Sequence, residues 1–313
     1  MKSHQSSPAF GRRINRAVSA SLFVFCAQLF SVPNAGAQEL TGTLKKIKDS
    51  GVIILGHRES SIPFSYYDDQ QKVVGYSHDL QLKIVDAIKQ ELKLPQLTIR
   101  YMPVTSQNRI PLVQNGSVDL ECGSTTHNTE RAKQVSFSNS FFLVGLRTMV
   151  KKNSGINELT DLAGKTVVTT AGTSNERLLR QINDDKKLGM SIISAKDHGE
   201  SFLTLESGRA AGFFMDDALL YGERAKAKKA NDWVVIGKPE QEEVYGCMLK
   251  KDDVPFKALV DGTLAGVMKT GEVIKIYNRW FNSPIPPKGL NLAYPLSPEM
   301  AALYKNPNDK PIQ

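Results

Sequence analysis

Cysteine and histidine are scarce in this chain of 313 residues, which has 3 cysteines and 5 histidines. Cys26 lies in an apolar segment near the start, and Cys122 and Cys247 are far apart, with no histidine at ligand spacing. This pattern argues against a zinc site, and we expect neither metal nor cofactor. Cys122 and Cys247 both fall in predicted strands, so they are interpreted as a disulfide or as two buried thiols. We favour the disulfide.

Long apolar segments are equally scarce, and the one at Ala17–Val32 follows four basic residues near the start of the chain. Ala35-Gly36-Ala37 then supplies small residues at the spacing of a cleavage site, which is typical of a signal peptide cut after Ala37. The apolar run is too short for a secure transmembrane helix. Cys26 lacks the small preceding residue of a lipidation site. We therefore expect signal peptide residues 1–37 and a soluble periplasmic protein.

The positive charge also shrinks on cleavage, because residues 1–37 hold four basic and no acidic groups, so the net charge falls from +8 to +4. A mildly basic protein suits an anionic small ligand, although the charge also serves solubility. Basic residues are not interleaved with aromatic ones, so no nucleic-acid partner is expected. The remaining 276 residues are enough for one large domain or two lobes.

Apolar strand segments alternate with helical segments along the chain, which predicts an α/β fold. Leu80, Ile84, Ile88 and Leu92 repeat at four-residue spacing and predict one buried helix face. The predicted strands are 52–56, 97–102, 118–122, 143–150, 166–170, 190–195, 211–215 and 244–249. A proline-rich tail follows, with a short helix near Pro298–Tyr304, and the last residues are expected to be disordered.

One stretch is the strongest functional signal. A predicted strand ends at Glu121-Cys122, a small polar loop Gly123–Thr126 follows, and Arg131 lies in the short helix beyond it. Hydroxyl groups, a helix N-terminus and an arginine together suit an anion. The alternative is an N-capped helix with a solvated arginine.

Other polar side chains also stand at predicted strand ends or helix N-termini, where ligands of open α/β sheets bind. Arg58 follows the first strand, and Ser106 with Arg109 begins a helix at its positive end. Gly172-Thr173-Ser174 opens another helix. These candidates are Arg58, Ser106, Arg109, Thr173, Ser174, His198 and Asp216. Each also has a structural interpretation, as a surface arginine, a helix cap or a lobe-surface histidine.

The stretches Gly56–Ser61, Thr105–Pro111, Glu121–Thr126, Ala195–Gly199, Met215–Ala218 and Tyr245–Met248 together resemble the family 3 solute-binding proteins of ABC importers. From Leu44 to about Leu303, the chain is most similar to the members that bind glutamate and aspartate. The resemblance implies a two-lobed periplasmic-binding-protein (type II) fold with two crossover strands. It places lobe 1 at residues 38–142 and 246–313 and lobe 2 at 143–245. It also implies delivery to an inner-membrane ABC permease by a protein expected to be a monomer.

The resemblance also assigns roles to the candidate residues. It implies that Arg131, with Ser124 and Thr126, binds the ligand α-carboxylate, that Thr173 and Ser174 close over it, and that Asp216 binds the α-ammonium. Arg58, Ser106, Arg109 and His198 are then left for the ligand side chain.

The ligand side chain is expected to be acidic. Three arginines, Arg58, Arg109 and Arg131, against Asp216 leave a site charge of +2, which favours L-glutamate and L-aspartate over glutamine. A desolvated guanidinium without a partner costs several kcal/mol, and a carboxylate removes that cost. The order of preference between the two acids depends on pocket depth and is not determined by the sequence.

Two other functions remain open at this point. An enzyme of the same fold, such as a dehydratase, needs a positioned acid or base, and no Ser/His/Asp or Cys/His pairing is evident. We therefore expect no enzymatic activity, with Glu121 as the one carboxylate without a role. A sensor for a signalling receptor is the second alternative.

Overall fold

The computed structural model describes residues 40–312, so the predicted signal peptide lies outside the described residues. The α-helices of this part are Gly42–Ser50 (α1), Tyr76–Leu92 (α2), Arg109–Gln114 (α3), Thr129–Ala132 (α4), Ser174–Asp185 (α5), His198–Glu206 (α6), Asp217–Lys226 (α7), Val254–Lys269 (α8), Glu272–Phe281 (α9) and Pro298–Lys305 (α10), and two short 3-10 helices span Leu159–Leu162 and Ala230–Asp232. The strands are Val52–His57 (β1), Ser60–Ser61 (β2), Ser65–Tyr67 (β3), Val73–Val74 (β4), Thr98–Pro103 (β5), Leu120–Glu121 (β6), Ser136–Phe137 (β7), Phe142–Lys151 (β8), Thr166–Thr170 (β9), Ser191–Ala195 (β10), Gly212–Asp216 (β11), Trp233–Ile236 (β12), Glu242–Tyr245 (β13) and Met248–Leu249 (β14).

Helix α2 shows how the apolar pattern directs the packing. Leu80, Ile84, Ile88 and Leu92 are all buried, as their four-residue spacing predicts. The helix ends at Leu92, and the next residue, Lys93, has a left-handed backbone (φ 52°) and closes the helix with hydrogen bonds back to the last turn. The stripe therefore joins α2 to the core of the first lobe, which we define as the part built on the five-stranded sheet.

The five-stranded sheet has the order β5-β1-β6-β14-β7. Strand β1 is parallel to β5 and β6, whereas β14 runs antiparallel to β6 and β7. The carboxyl ends of β1 and β6 lie side by side, since Gly56 is paired with Glu121. The polar segments that follow these two strands therefore start at the same edge of the sheet.

The second lobe is built on the other large sheet, of order β10-β9-β11-β8-β12, with β13 also paired to β8. Strand β9 is parallel to β10 and β11. Strands β11 and β12 flank β8 in antiparallel orientation. Asp216 ends β11, and Ala195 ends β10, so polar groups again follow neighbouring strand ends.

Two antiparallel strands connect the lobes. Strand β8 leaves the first lobe and β13 returns to it, with Phe142 opposite Tyr245 and Gly145 opposite Glu242. The predicted α/β fold with two lobes and two crossover strands is thus confirmed.

The predicted single strand 244–249 is wrong, because β13 and β14 are separate strands. At Gly246 and Cys247 the chain leaves β8 and moves to β6 and β7. Gly246 N donates to Thr125 O, and an added Cβ at Gly246 would lie 3.2 Å from Ser138 O. The break therefore lies where the crossover enters the first sheet.

The predicted disorder of the C-terminal residues is also wrong as far as Ile312. Ile312 N donates to His127 O over 3.1 Å, and Thr129 N donates to Ile312 O over 3.1 Å. Ser140 N donates to Asn308 O over 2.8 Å. The tail is thus held against the segment that precedes and begins α4. Within residues 40–312, no helix combines the length and apolar character that crossing a bilayer requires.

Candidate functional site

The two lobes approach each other closely between their strand ends. Gly172 of the second lobe has φ 76°, and a Cβ there would lie 2.7 Å from Gln107 Cγ and 2.9 Å from Gln107 N of the first lobe. A Cβ at Gly222 would lie 2.1 Å from Ile62 O. Glycine at these two positions therefore permits a backbone contact that any side chain would prevent.

Arg131 lies at this junction. Asn128 caps α4 by accepting from Arg131 N over 2.9 Å. The guanidinium donates to Thr126 O over 3.0 Å and, across the cleft, to Gly172 O over 3.4 Å. Burial, and then the nearby charge of Arg109, lower its pKa to about 9. Arg131 therefore stays cationic at neutral pH and faces the predicted anion-binding loop.

The hydroxyl groups around Arg131 differ in what they contact. Ser124 Oγ donates to Ser61 Oγ over 3.2 Å. Thr126 Oγ1 lies 3.3 Å from Ser174 Oγ, so the structure brings these two predicted site residues together from opposite lobes. The Thr173 hydroxyl instead donates to Thr170 O and accepts from Glu176 N as the cap of α5. It is committed to the helix, as the structural interpretation of this loop expected.

Asp216 is held by two donors at the end of β11. Asn175 Nδ2 donates to its Oδ1 over 2.9 Å, and the Tyr245 hydroxyl donates to its Oδ2. Burial, and then the negative charge of Glu243, raise the pKa of Asp216. A cation beside Asp216 would oppose both effects, so the position suits an ammonium group.

The four residues predicted to read the ligand side chain are all buried and lie 1–4% exposed. Each has a polar atom that finds no hydrogen-bond partner among the described residues. These atoms are Arg58 Nη1, Ser106 Oγ, Arg109 Nε and His198 Nε2. Buried polar groups are normally paired, so a set of such atoms indicates a place for an external polar group.

The electrostatic interactions join three of these residues into one group. Arg58 and Arg109 each act on the His198 ring, whose pKa is lowered well below its usual value by burial first and then by the two arginines. Burial, and then Arg109, lower the pKa of Arg58 to about 10. His198 is therefore neutral and both arginines are charged at pH 7. The Nδ1 atom of His198 lies 2.9 Å from Thr170 Oγ1.

Arg109 has a second set of contacts that the sequence did not indicate. Its Nη1 donates to Ser124 O over 3.0 Å and to Thr125 Oγ1 over 2.5 Å. Thr125 in turn donates to Glu121 Oε2 over 2.7 Å. Arg109 thus also holds the loop that carries Ser124, and the buried Glu121, left without a role above, supports that loop.

The charge count from the sequence is wrong because it omitted two buried carboxylates. Glu121 and Glu243 are both 0% exposed. Glu121 acts electrostatically on Arg58 and Arg109, and Glu243 acts on Arg131. The count of three arginines against Asp216 alone therefore does not give the charge of the site. The preference for an acidic ligand therefore depends on where the unpartnered donors point.

Glu243, Tyr245 and Asn175 are site residues that sequence reasoning missed. Glu243 and Tyr245 alternate along β13, so both project from the same face of the crossover strand. The signal available was an acidic and a phenolic residue at alternate positions of β13, on the face that is buried. Asn175 follows Ser174 directly and gave no separate signal.

Cys122 and Cys247 form a disulfide, with their sulfur atoms 2.09 Å apart. Cys122 follows β6, at the start of the loop that holds Ser124, and Cys247 precedes β14. The bond therefore fixes the base of the binding loop to the end of the crossover segment. Across residues 40–312, no group of three or more His, Cys, Asp or Glu side chains is arranged to hold a metal ion.

Comparisons with known proteins identify the relatives of this chain. Residues 53–283 match the model of the bacterial extracellular solute-binding proteins, family 3. An L-glutamate/L-aspartate-binding protein of Pseudomonas aeruginosa is 62% identical over 285 residues, covering 91% of this chain and 94% of the relative. A glutamate/aspartate import solute-binding protein of Escherichia coli is 56% identical over 282 residues, covering 90% and 92%.

Solved structures show the same architecture. The cysteine-binding protein of Campylobacter jejuni is 25% identical, with a TM-score of 0.67, and the match covers 77% of this chain and 93% of that one. The sequence match, the two lobes and the polar cleft between them lead to one assignment. The chain belongs to the bacterial extracellular solute-binding proteins of family 3.

Proposed function

We propose that this protein binds L-glutamate and L-aspartate in the cleft between its lobes and delivers them to an inner-membrane ABC permease. The names of the relatives at 62% and 56% identity support the ligand class. The observation that carries the proposal is the set of buried unpartnered atoms on Arg58, Ser106, Arg109 and His198. A side-chain carboxylate supplies acceptors for these donors and offsets the cost of buried charge.

The α-groups of the ligand are bound at the other end of the cleft in this proposal. Arg131 pairs with the α-carboxylate, and the loop of Ser124 and Thr126 contributes beside it. Thr173 and Ser174 close over the carboxylate from the second lobe through their backbone, because the Ser174 hydroxyl donates to Glu243. Asp216 accepts from the α-ammonium.

His198 acts as a neutral donor in this arrangement. A neutral imidazole has one N–H group and one acceptor nitrogen. In the tautomer with the proton on Nε2, Thr170 donates to Nδ1, and Nε2 faces the ligand carboxylate. The lowered pKa of His198 fits this neutral form.

The proposed lobe boundaries remain those predicted from the sequence, with lobe 1 at residues 38–142 and 246–313 and lobe 2 at 143–245. The proposed export signal is residues 1–37, with cleavage after Ala37. An intact mass of the protein purified from the periplasm tests the cleavage site directly. The proposed monomer is tested by light scattering at the concentration used for binding.

Isothermal titration calorimetry of the mature protein tests the ligand class. Glutamate and aspartate are expected to bind with similar enthalpy signs and to compete with each other. Glutamine, which has nearly the shape of glutamate without its side-chain charge, is the matched control and is expected to bind far more weakly. Tight binding of glutamine without binding of glutamate would overturn the assignment.

We propose no enzymatic activity for the protein. Of the buried carboxylates of the cleft, Asp216 is bonded to Asn175 and Tyr245, and Glu121 Oε2 accepts from Thr125, whereas Glu121 Oε1 has no partner among the described residues. Incubation with each bound amino acid, followed by mass spectrometry of the ligand, is expected to return it unchanged. A new product mass would contradict this part of the proposal.

A further inference from the structure

One buried carboxylate oxygen contacts both lobes at once. Glu243 lies on β13 with 0% exposure. Its Oε2 accepts from Thr126 Oγ1 over 2.5 Å and from Ser174 Oγ over 2.7 Å. Gln241 donates to the other oxygen over 3.3 Å. Both oxygens of the carboxylate are therefore paired.

The two hydroxyl groups come from different parts of the molecule. Thr126 belongs to the loop after β6 in the first lobe, and Ser174 is the first residue of α5 in the second lobe. Glu243 itself lies on a crossover strand between them. A single oxygen of Glu243 thus joins the first lobe, the second lobe and a crossover strand that connects them.

The charge of Glu243 gives these contacts their strength. A buried carboxylate is costly unless it is paired and hydrogen-bonded. Hydrogen bonds to an ionised acceptor are about twice as strong as those between neutral groups. Glu243 also acts on Arg131, raising the pKa that burial and Arg109 lower. The charge of Glu243 therefore stabilises both its hydrogen bonds to the two hydroxyls and the charged form of Arg131.

We propose that Glu243 is a positioning residue for amino-acid binding, fixing Thr126 and Ser174 against each other when the lobes close. This inference rests on the proposed function. Glu243 acts on the end of the cleft that meets the α-groups, which glutamate and aspartate share. It therefore adds affinity for both ligands equally and does not distinguish between them.

The dissociation rate is the second consequence. The bond from Thr126 to Glu243 connects lobe 1 to lobe 2, which separate when the cleft opens. Loss of this bond removes stabilisation from the closed complex and has little effect on the first encounter with ligand. Weakened variants are therefore expected to release ligand faster, with an almost unchanged association rate.

The experiment compares Glu243→Gln with Glu242→Gln, the same chemical change at the exposed neighbour on the same strand. Calorimetry and stopped-flow fluorescence are run with glutamate and with aspartate. Glu243→Gln is expected to lower the affinity for each of the two amino acids by about tenfold, because hydrogen bonds to a charged acceptor become hydrogen bonds between neutral groups. Glu242→Gln is expected to match the wild type.

Two further variants separate positioning from a simple charge effect. Glu243→Asp keeps the charge but is one methylene shorter, so it cannot meet both hydroxyls in the same way. It is expected to weaken binding as Glu243→Gln does, whereas a pure field effect would leave it near wild type. Combining Glu243→Gln with Ser174→Ala is expected to cost less than the sum of the single changes, because both break one contact.

Binding by Glu243→Gln within twofold of Glu242→Gln overturns the inference, as does a loss confined to one of the two acids. If Glu243→Gln does not fold, Glu243→Asp and Ser174→Ala carry the same comparison of rates and ligands. Failure of the wild type to bind either acid would overturn the proposed function and this inference with it. Normal binding by both the wild type and Glu243→Gln would overturn the inference alone.

Discussion

Asn175 Nδ2 donates a hydrogen bond to Asp216 Oδ1 over 2.9 Å, at the end of β11 in the second lobe. This bond, and the one from Tyr245, favour the ionised carboxylate. Burial and the negative charge of Glu243 oppose them and raise the pKa of Asp216 to about 7. The carboxylate that receives the ammonium in the proposed site therefore titrates near neutral pH before ligand binds.

The affinity for glutamate is expected to fall as the pH drops below about 7. A bound ammonium lowers the pKa of Asp216 again, so binding must release a proton wherever Asp216 is protonated. The fall approaches tenfold per pH unit at its steepest. Titration calorimetry between pH 5.5 and 8, in buffers of different ionisation enthalpy, measures both the affinity and the released proton.

The stability of the ligand-free protein changes in the opposite direction through this group. A raised pKa in the folded state means that the folded protein holds the proton more tightly than the unfolded chain does. The contribution of Asp216 to the free energy of unfolding is therefore fully present below the pKa that this group has in the unfolded chain. It is lost as the pH rises through the folded-state value of about 7. The variant Asp216→Asn is expected to lose both pH dependences. A glutamate affinity that stays constant over this range in the wild type would contradict the prediction.

Arg58→Met is expected to weaken the binding of glutamate by roughly 2–4 kcal/mol and to leave the weak binding of glutamine almost unchanged. Arg58 is buried, and its Nη1 has no partner among the described residues, so its loss leaves no protein acceptor unpaired. Because burial and Arg109 disfavour its charge, the ligand-free variant should unfold at a higher temperature. Arg100→Met, an exposed arginine on β5, is the control. Equal losses for glutamate and glutamine would place Arg58 outside the side-chain pocket.

Arg109→Met is expected to weaken the binding of glutamate and aspartate by roughly 2–4 kcal/mol. Unlike Arg58→Met, it is also expected to lower the folding stability of the ligand-free protein. The reason is that Arg109 also donates to Ser124 O and Thr125 Oγ1 in the binding loop. Thermal unfolding of the ligand-free variants distinguishes the two arginines. A change in affinity below about tenfold would count against a buried charge pair.

Removing the disulfide with the double variant Cys122→Ala, Cys247→Ala is expected to lower the free energy of unfolding by about 2–5 kcal/mol. The bond closes a long loop between residues 125 apart in sequence and fixes the base of the binding loop. Urea unfolding of the double variant and of the wild type, with and without reductant, gives the measurement. Reductant should affect only the wild type. Identical urea midpoints for all samples would show that the bond adds nothing.

Truncation after Asn306 is expected to lower the free energy of unfolding by about 1–3 kcal/mol. It is also expected to weaken the binding of glutamate and the binding of aspartate to an equal extent. The tail pairs with His127 and Thr129, which flank the cap residue of the helix that carries Arg131. Chemical unfolding and calorimetry test the two effects. Asp309→Asn, which leaves the backbone pairing in place and removes the partly exposed ion pair with Lys257 and the charge near His127, is the control and should cost at most about 1 kcal/mol. An unchanged affinity after truncation would limit the tail to a structural role.

Local patterns predicted the longest strands, β1, β5, β8, β9, β10 and β11, and the buried face of α2. The stripe from Leu80 to Leu92 became the buried face of α2, and the side chain of Asp253 caps α8. These features depend on residues a few positions apart, where helix periodicity and capping act directly. The strand predicted at 244–249 failed because its break at Gly246 is caused by contacts with Thr125 and Ser138, which are distant in sequence.

The sequence by itself determined which groups were available for binding: arginines, hydroxyls and one carboxylate at strand ends and helix N-termini. Only the tertiary structure decided how they are paired. It showed the Thr173 hydroxyl committed to a helix cap and Arg109 shared with the Thr125–Glu121 pair. It also placed Glu243 between the lobes, beside Thr126 and Ser174. Buried charges interact over several ångströms between distant segments, so their balance follows from the fold and cannot be counted along the chain.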